Sequence, residues 1–147
     1  MEPRFAEASD QVFVAALELL ERISVGETGS PTEERTRMKG WIERAESIVD
    51  RGEEWELARY ALVCWIGNQL VNAPWEGADF WNHNSLEVEY YGDRRAFCDF
   101  FLKARKAEKF PKKNALEVFY LCVVFGFRGL YGPPPEKRKE GDRPADF

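Results

Sequence analysis

Histidine is almost missing from this 147-residue chain: His83 is the only one. A metal site would then need cysteines and carboxylates at ligand spacing. Cys64, Cys98 and Cys122 stand far apart with no CxxC, and Asp79 and these distant cysteines give His83 no metal-ligand spacing. A lone histidine in an Asn-rich loop reads as a hydrogen-bonding residue rather than a catalyst. There is no G-x-S-x-G, no Walker loop and no dinucleotide fingerprint, and Gly126-Phe-Arg-Gly129 is too short and too apolar to cradle phosphate. Glu53, Glu54 and Glu56 sit at a helix start, where the helix dipole favours acids. No convergent set of titratable groups remains, so the chain reads as non-enzymatic, with no metal and no cofactor.

Long apolar runs are also lacking. The stretch Val118–Phe125 falls far short of the ~20 residues that span a bilayer. The N-terminus carries Glu2 and Glu7 and no apolar core, so no signal peptide is expected. A block of positive charge is absent: 21 basic against 26 acidic residues leave a net charge of -5. Nucleic acid, which needs a basic face, is not an expected partner, and the basic residues between Arg94 and Lys113 read as a solvated surface. Wide-spaced cysteines in apolar segments read as buried free thiols of a reducing compartment, the cytoplasm.

What the chain has is aromatic rings, at 14% with five Trp and eleven Phe, within an ordinary globular composition of 44% hydrophobic and 32% charged residues. Helical periodicity recurs and no strand pattern does. The reading is all-α: one helical bundle over residues 1–131, then a Pro-rich, charged, solvated tail over 132–147. Helix one is expected from about Asp10 to Ile23, capped by Ser9 or Asp10, with Phe13, Ala16, Leu17, Leu20 and Ile23 as its stripe. Helix two starts at the capping box of Ser30, Pro31 and Glu33, carries Met38, Trp41, Ile42, Ala45, Ile48 and Val49, and ends at Gly52. Helix three spans about Glu54 to Val71. Ser85 caps a short helix through Tyr90. After Gly92, Asp93 is expected to cap a helix to about Ala107 presenting Phe97, Phe100, Phe101 and Ala104.

The organising stretch is Asn114–Tyr131. Asn114 and Glu117 have capping-box spacing, and Gly126, Gly129 and Pro133–Pro135 end the helix. Between them, Val118–Phe125 carries no charge, and a helix apolar on every side must be surrounded. It is therefore expected to be the buried central helix.

Trp75, Phe80 and Trp81 are unusual cargo for the loop from Asn72 to Asn84. Either they lid the core, or they are aromatic anchors in a polar rim, as at interface hot spots. On the second reading the candidate partner-binding residues are Asn68, Gln69, Asn72, Trp75, Phe80 and Trp81.

Two segments together resemble the cytoplasmic domain of the DotU/ImpK/TssL family of bacterial secretion systems. Ala58-Arg-Tyr-Ala-Leu-Val-Cys-Trp-Ile-Gly-Asn-Gln-Leu-Val-Asn-Ala-Pro-Trp75, followed by Trp81 and Ser85-Leu86, is similar to the family's A-R-Y-A-L-C, acidic pair, T-P-W, W and S-L-L pattern. Leu116-Glu-Val-Phe-Tyr-Leu-Cys-Val-Val-Phe-Gly-Phe-Arg-Gly-Leu-Tyr131 resembles the family's L-E-L-x-Y-x-C-L-x-L-G-F-x-G-x-Y signature. Gly67-Asn68 stands in place of the acidic pair, and Tyr91-Gly92-Asp93 in place of a Gly-Gly-Glu. Family members continue into a C-terminal transmembrane helix, which this chain lacks. The resemblance implies a bundle of seven or eight helices and a non-enzymatic scaffold. It also implies a place at the cytoplasmic face of the inner membrane, joined to an IcmF/TssM-like partner and touching the baseplate of a type VI or type IVB system. Without the membrane segment linked to dimerisation, a monomer is expected. The alternatives are a free-standing helical adaptor that kept the fold without the secretion role, and an enzyme with an aromatic-lined pocket.

Overall fold

The computed structural model describes residues 1–128, with the side chains of residues 96–98 left aside. Every element among the described residues is a helix: α1 Pro3–Ser24, α2 Pro31–Ile48, α3 Glu53–Val71, α4 Gly77–His83, α5 Leu86–Tyr91, α6 Ala96–Glu108 and α7 Asn114–Val124. Phe97, Cys98, Gly129 to Tyr131 and the tail over 132–147 lie outside what is described.

The centre of the bundle is α3. Ten of its 19 residues are buried, including the unbroken run Tyr60–Ile66. It packs against α1, α4, α5, α6 and α7, so every side of it meets protein. That corrects the expectation for the C-terminal apolar stretch. Val118, Phe119 and Cys122 are buried in α7, but Tyr120 is 67% exposed, Val124 56%, and Val123 and Phe125 are exposed as well. α7 packs chiefly on α3, with α6 and α1 beside it. Among the described residues its outer side meets no other element, so an apolar composition on all sides did not place it at the centre.

α1 and α2 form a hairpin, joined through Gly26 at φ +73°. Ser30 caps α2 as its spacing predicts, accepting from the Glu33 amide at 3.2 Å, with Pro31 at the first helical position. Glu34 then sits fully buried under the loop. It takes a two-pronged contact from Arg22 at 2.5 and 3.1 Å, a bond from Arg37 at 3.0 Å and another from the Gly29 amide at 2.8 Å. Burial alone would raise the Glu34 pKa; these partners outweigh it and hold the carboxyl below its ordinary value.

Helix starts differ where tertiary partners replace local ones. α1 begins at Pro3, not at Asp10. Ser9 is buried inside the helix, its hydroxyl donating to the Phe5 carbonyl at 2.9 Å, so it caps nothing. Its buried stripe includes Val12, Phe13, Ala16, Leu19 and Ile23, while Leu17 faces out. α2 stops at Ile48, because Val49 is already extended, and Gly52 precedes α3 instead. Arg95 rather than Asp93 precedes α6, with no side-chain cap. On α6, Phe100 is buried and stacked on Phe127 with ring centres 3.9 Å apart, whereas Phe101 lies at the surface margin.

Asn114 is the first residue of α7 rather than its cap. The cap comes from α3: Glu54 accepts from the Ala115 amide at 3.3 Å and from Asn114 Nδ2 at 3.2 Å. Asn114 Oδ1 in turn accepts from the Glu2 amide at 2.8 Å, so the starts of α1, α3 and α7 meet at one polar joint.

Candidate partner-binding surface

The sequence candidates gather where α3 ends. Its last turns expose a row of amides because Gly67, Asn68, Gln69 and Asn72 replace the apolar residues of the preceding turns. Asn72 Nδ2 donates to the Asn68 carbonyl at 2.7 Å and finishes the helix. Asn68 Oδ1 accepts from Gln69 Nε2 and from the Arg128 amide, each at 3.4 Å. The Gln69 side chain lies over Gly126, where an added Cβ would stand 3.2 Å from Nε2; Gly126 also holds φ at +103°, which disfavours any side chain. Asn68 and Gln69 therefore tie the end of α7 to α3, while remaining half-exposed, and Asn72 is exposed.

The aromatics divide into three depths. Trp81 is fully buried. Its α4 helix is short, and the ring is driven inward against α3. Trp75 is half-buried: its Nε1 donates to the Leu70 carbonyl at 3.0 Å and its ring covers Gly77 so closely that a Cβ there would meet it at 2.4 Å. Phe80 is half-buried on the outer side of α4. Trp81 is thus a lid on the core and offers no ring to solvent, and only Trp75 and Phe80 present part of theirs. Outside them, Arg35 Nε donates to the Asn84 carbonyl at 2.6 Å and Arg94 Nη2 to Asn82 Oδ1 at 2.7 Å, which latch α4 from both flanks.

One polar atom under this surface is unsatisfied. Trp81 Nε1 is buried and has no acceptor. A Cβ built on Gly67 would stand 3.9 Å from it and touch nothing else. The missing side chain at position 67 is therefore where an acceptor for this indole would come from, and position 67 is where the resembling family pattern has an acid.

The chemistry available is hydrogen bonding through amides and partial ring contact. His83 is exposed, its Nδ1 at 2.9 Å from the Asp79 carbonyl and 3.6 Å from that carboxylate, and no other titratable group converges on it. Among the described residues no group of His, Cys, Asp and Glu could hold a metal ion. A cleft of about 520 Å³ exists elsewhere, at the polar joint beside Phe5, Trp55 and Lys112, and it does not involve the aromatic loop.

Sequence reading missed a polar joint nearer the start of α3. Arg59 meets Glu46 at 3.1 Å, Glu56 at 2.9 Å and the Tyr91 hydroxyl at 3.2 Å, and lies over the Tyr90 ring at 4.9 Å. It joins α2, α3 and α5. Burial pushes the Tyr91 hydroxyl well up and the Tyr90 hydroxyl up to about 12. The signal was the single arginine inside the otherwise apolar Ala58–Leu62, which demands anionic and aromatic partners once buried.

A family model for type VI secretion system protein DotU matches residues 5–143. This chain belongs to the DotU family. No curated protein and no solved structure matches it. The two signature segments of this DotU-family fold lie on packed helices, Ala58–Leu62 on the central α3 and Leu116–Cys122 on α7, which packs along it. Membership points to a subunit of a type VI or related secretion system, and the family is one of structural components not known as catalysts. No helix among the described residues is long and apolar enough to cross a membrane.

Proposed function

We propose that this chain is the cytoplasmic, protein-binding part of a secretion system's inner-membrane complex. Its partners are an IcmF/TssM-like cytoplasmic domain and a baseplate component. Contact is made by the amide edge of α3, Asn68, Gln69 and Asn72, together with Trp75 and Phe80, while Trp81 acts by holding α4 in place. The observation that carries this reading is the juxtaposition, in a DotU-family chain, of half-exposed rings and an amide row on a latched helix end. The arrangement is rigid before binding, which lowers the entropic cost of docking. By itself the chain is a monomer at micromolar concentration, and sedimentation equilibrium showing a stable dimer there would contradict that.

The test is capture of the IcmF-like cytoplasmic domain encoded in the same genome. Asn72→Ala with Phe80→Ala should weaken it about tenfold, ~1.4 kcal/mol, with the melting temperature nearly unchanged. Unaltered binding by this folded variant would place the interface elsewhere. If the wild-type chain itself fails to bind, the free-standing adaptor reading takes over; the neutral Gly67-Asn68 in place of an acidic pair is what favours it.

A further inference from the structure

None of the sequence candidates lies on α1, which carries Glu7, Asp10, Val14 and Glu18 at steps of three and four residues, hence along one stripe. This stripe borders a groove of about 420 Å³ shared with α2. The floor is apolar: Ala15, the Trp41 ring and Val14, which is 52% exposed. The rim is anionic. Among the described residues Glu7, Asp10 and Glu18 are exposed and form no salt bridge, although Arg22 lies within electrostatic reach of Glu18. A fourth acceptor lies in the wall, since Gln11 Oε1 is buried with no donor. The rim carboxylates and Gln11 Oε1 are acceptors, and the Gln11 amide NH2 and the Trp41 indole N–H are the donors beside them. A guanidinium already lies over Trp41, that of Arg44 at 4.4 Å from the ring centre, so the aromatic wall is of a kind that receives cations.

We propose that this groove docks a basic amphipathic helix of a partner protein, at a second interface separate from the α3–α4 surface. The occupant must bring apolar side chains for Val14 and Trp41 and cations for the rim. Glu7 and Glu18 are eleven residues apart on α1, about 16 Å at the helical rise. A facing helix meets both with Lys or Arg spaced by the same interval, on either side of its apolar centre. A second copy of this groove would bring like charge to like. The chain's own residues 132–147 have four basic and four acidic side chains and no apolar stripe, so they complement neither rim nor floor.

The test uses the full chain and a fluorescent 18-residue Leu/Lys amphipathic helix, with a Leu/Glu helix of the same pattern for comparison, read by anisotropy. Wild type should bind the Leu/Lys peptide, more weakly as salt rises, and the Leu/Glu peptide at least tenfold less. Glu7→Lys with Asp10→Lys and Glu18→Lys should weaken binding tenfold or more. The same change of net charge elsewhere, Glu27→Lys with Glu76→Lys and Asp93→Lys, should cost less than threefold. Val14→Asp should also lower affinity several-fold; it and Glu18→Gln alone serve if circular dichroism finds the triple variant unfolded. Equal losses in the two triple variants would mean that only overall charge is being read, and would overturn the proposal. So would binding that is indifferent to Val14→Asp and Glu18→Gln. If Lys137→Glu with Arg138→Glu and Lys139→Glu raises peptide affinity tenfold, the chain's own tail occupies the groove and the partner helix is excluded.

Discussion

Helices α3 and α7 have nearly the same vocabulary, an apolar run of seven or eight residues with a cysteine and aromatic rings, yet they occupy different places. α3 is buried around its whole circumference between Tyr60 and Ile66; α7 alternates, with Val118, Phe119 and Cys122 inward and Tyr120, Val123 and Val124 outward. The difference is not in hydrophobicity. It lies in how many neighbours the topology can supply. α3 sits mid-chain, between the α1–α2 hairpin and the later helices, and elements from both sides close over it. α7 has α3 on one side and nothing described on the other. An apolar run thus says that a helix can be buried, and the rest of the chain decides whether it is.

The largest test of that contrast is a truncation on each helix. Leu62→Ala, at a fully buried α3 site, should cost ~2–5 kcal/mol in chemical denaturation. Leu121→Ala, at a half-buried α7 site, should cost about 1 kcal/mol, since part of its surface never leaves water. Similar losses at both would erase the distinction.

Next is the link between the two helices. Glu54→Ala removes the cap that α3 gives to α7 and leaves the Asn114 amide without one acceptor, at about 1 kcal/mol. The hairpin that shields α3 has its own acid dependence. The folded pKa of Glu34 lies below its ordinary value, so its contribution is complete above the unfolded pKa of about 4.3 and is lost as pH falls through the folded value. Stability should decline from about pH 5 downward, and Glu34→Gln should be less stable at pH 7 yet decline less steeply in acid.

A gain is expected at Gly67. Gly67→Asp adds a carboxylate on a Cβ that would stand 3.9 Å from the orphaned Trp81 Nε1 and removes a helix-interior glycine, for a stabilisation of up to about 1 kcal/mol. A destabilised variant would mean that the indole is satisfied in some other way. The smallest effect belongs to Val124→Ser, within about 0.5 kcal/mol of wild type, because that side chain has little contact to lose.

Much of the fold was legible. Ser30 and Ser85 cap as their spacing says, accepting from Glu33 and Val88, because those caps use only residues within one turn. Asn114 misled for the complementary reason, since it serves Glu2 and Glu54, which are distant in sequence; Ser9 lies inside a helix that starts earlier at Pro3, and Asp93 lies before the Arg95 that precedes α6. At the candidate surface the amide row was visible, since Asn68, Gln69 and Asn72 interrupt an apolar helix. The depths of Trp75, Phe80 and Trp81 were not, because they depend on how α4 rolls against α3. The acidic groove on α1 escaped too: its stripe is periodic, but only the α2 partner with Trp41 turns it into a concave surface.

Thiol labelling tests the α3–α7 contrast most directly. Cys64 on α3 and Cys122 on the inner side of α7 are both buried, and burial holds both thiols well above their ordinary pKa. In a Cys98→Ser background, Val124→Cys adds one thiol on the outer side of α7. Under native conditions a disulfide reagent should modify that one thiol at nearly the rate of a small free thiol, while the other two react only as the protein unfolds. A protected thiol at position 124, or rapid reaction of Cys64, would contradict the account.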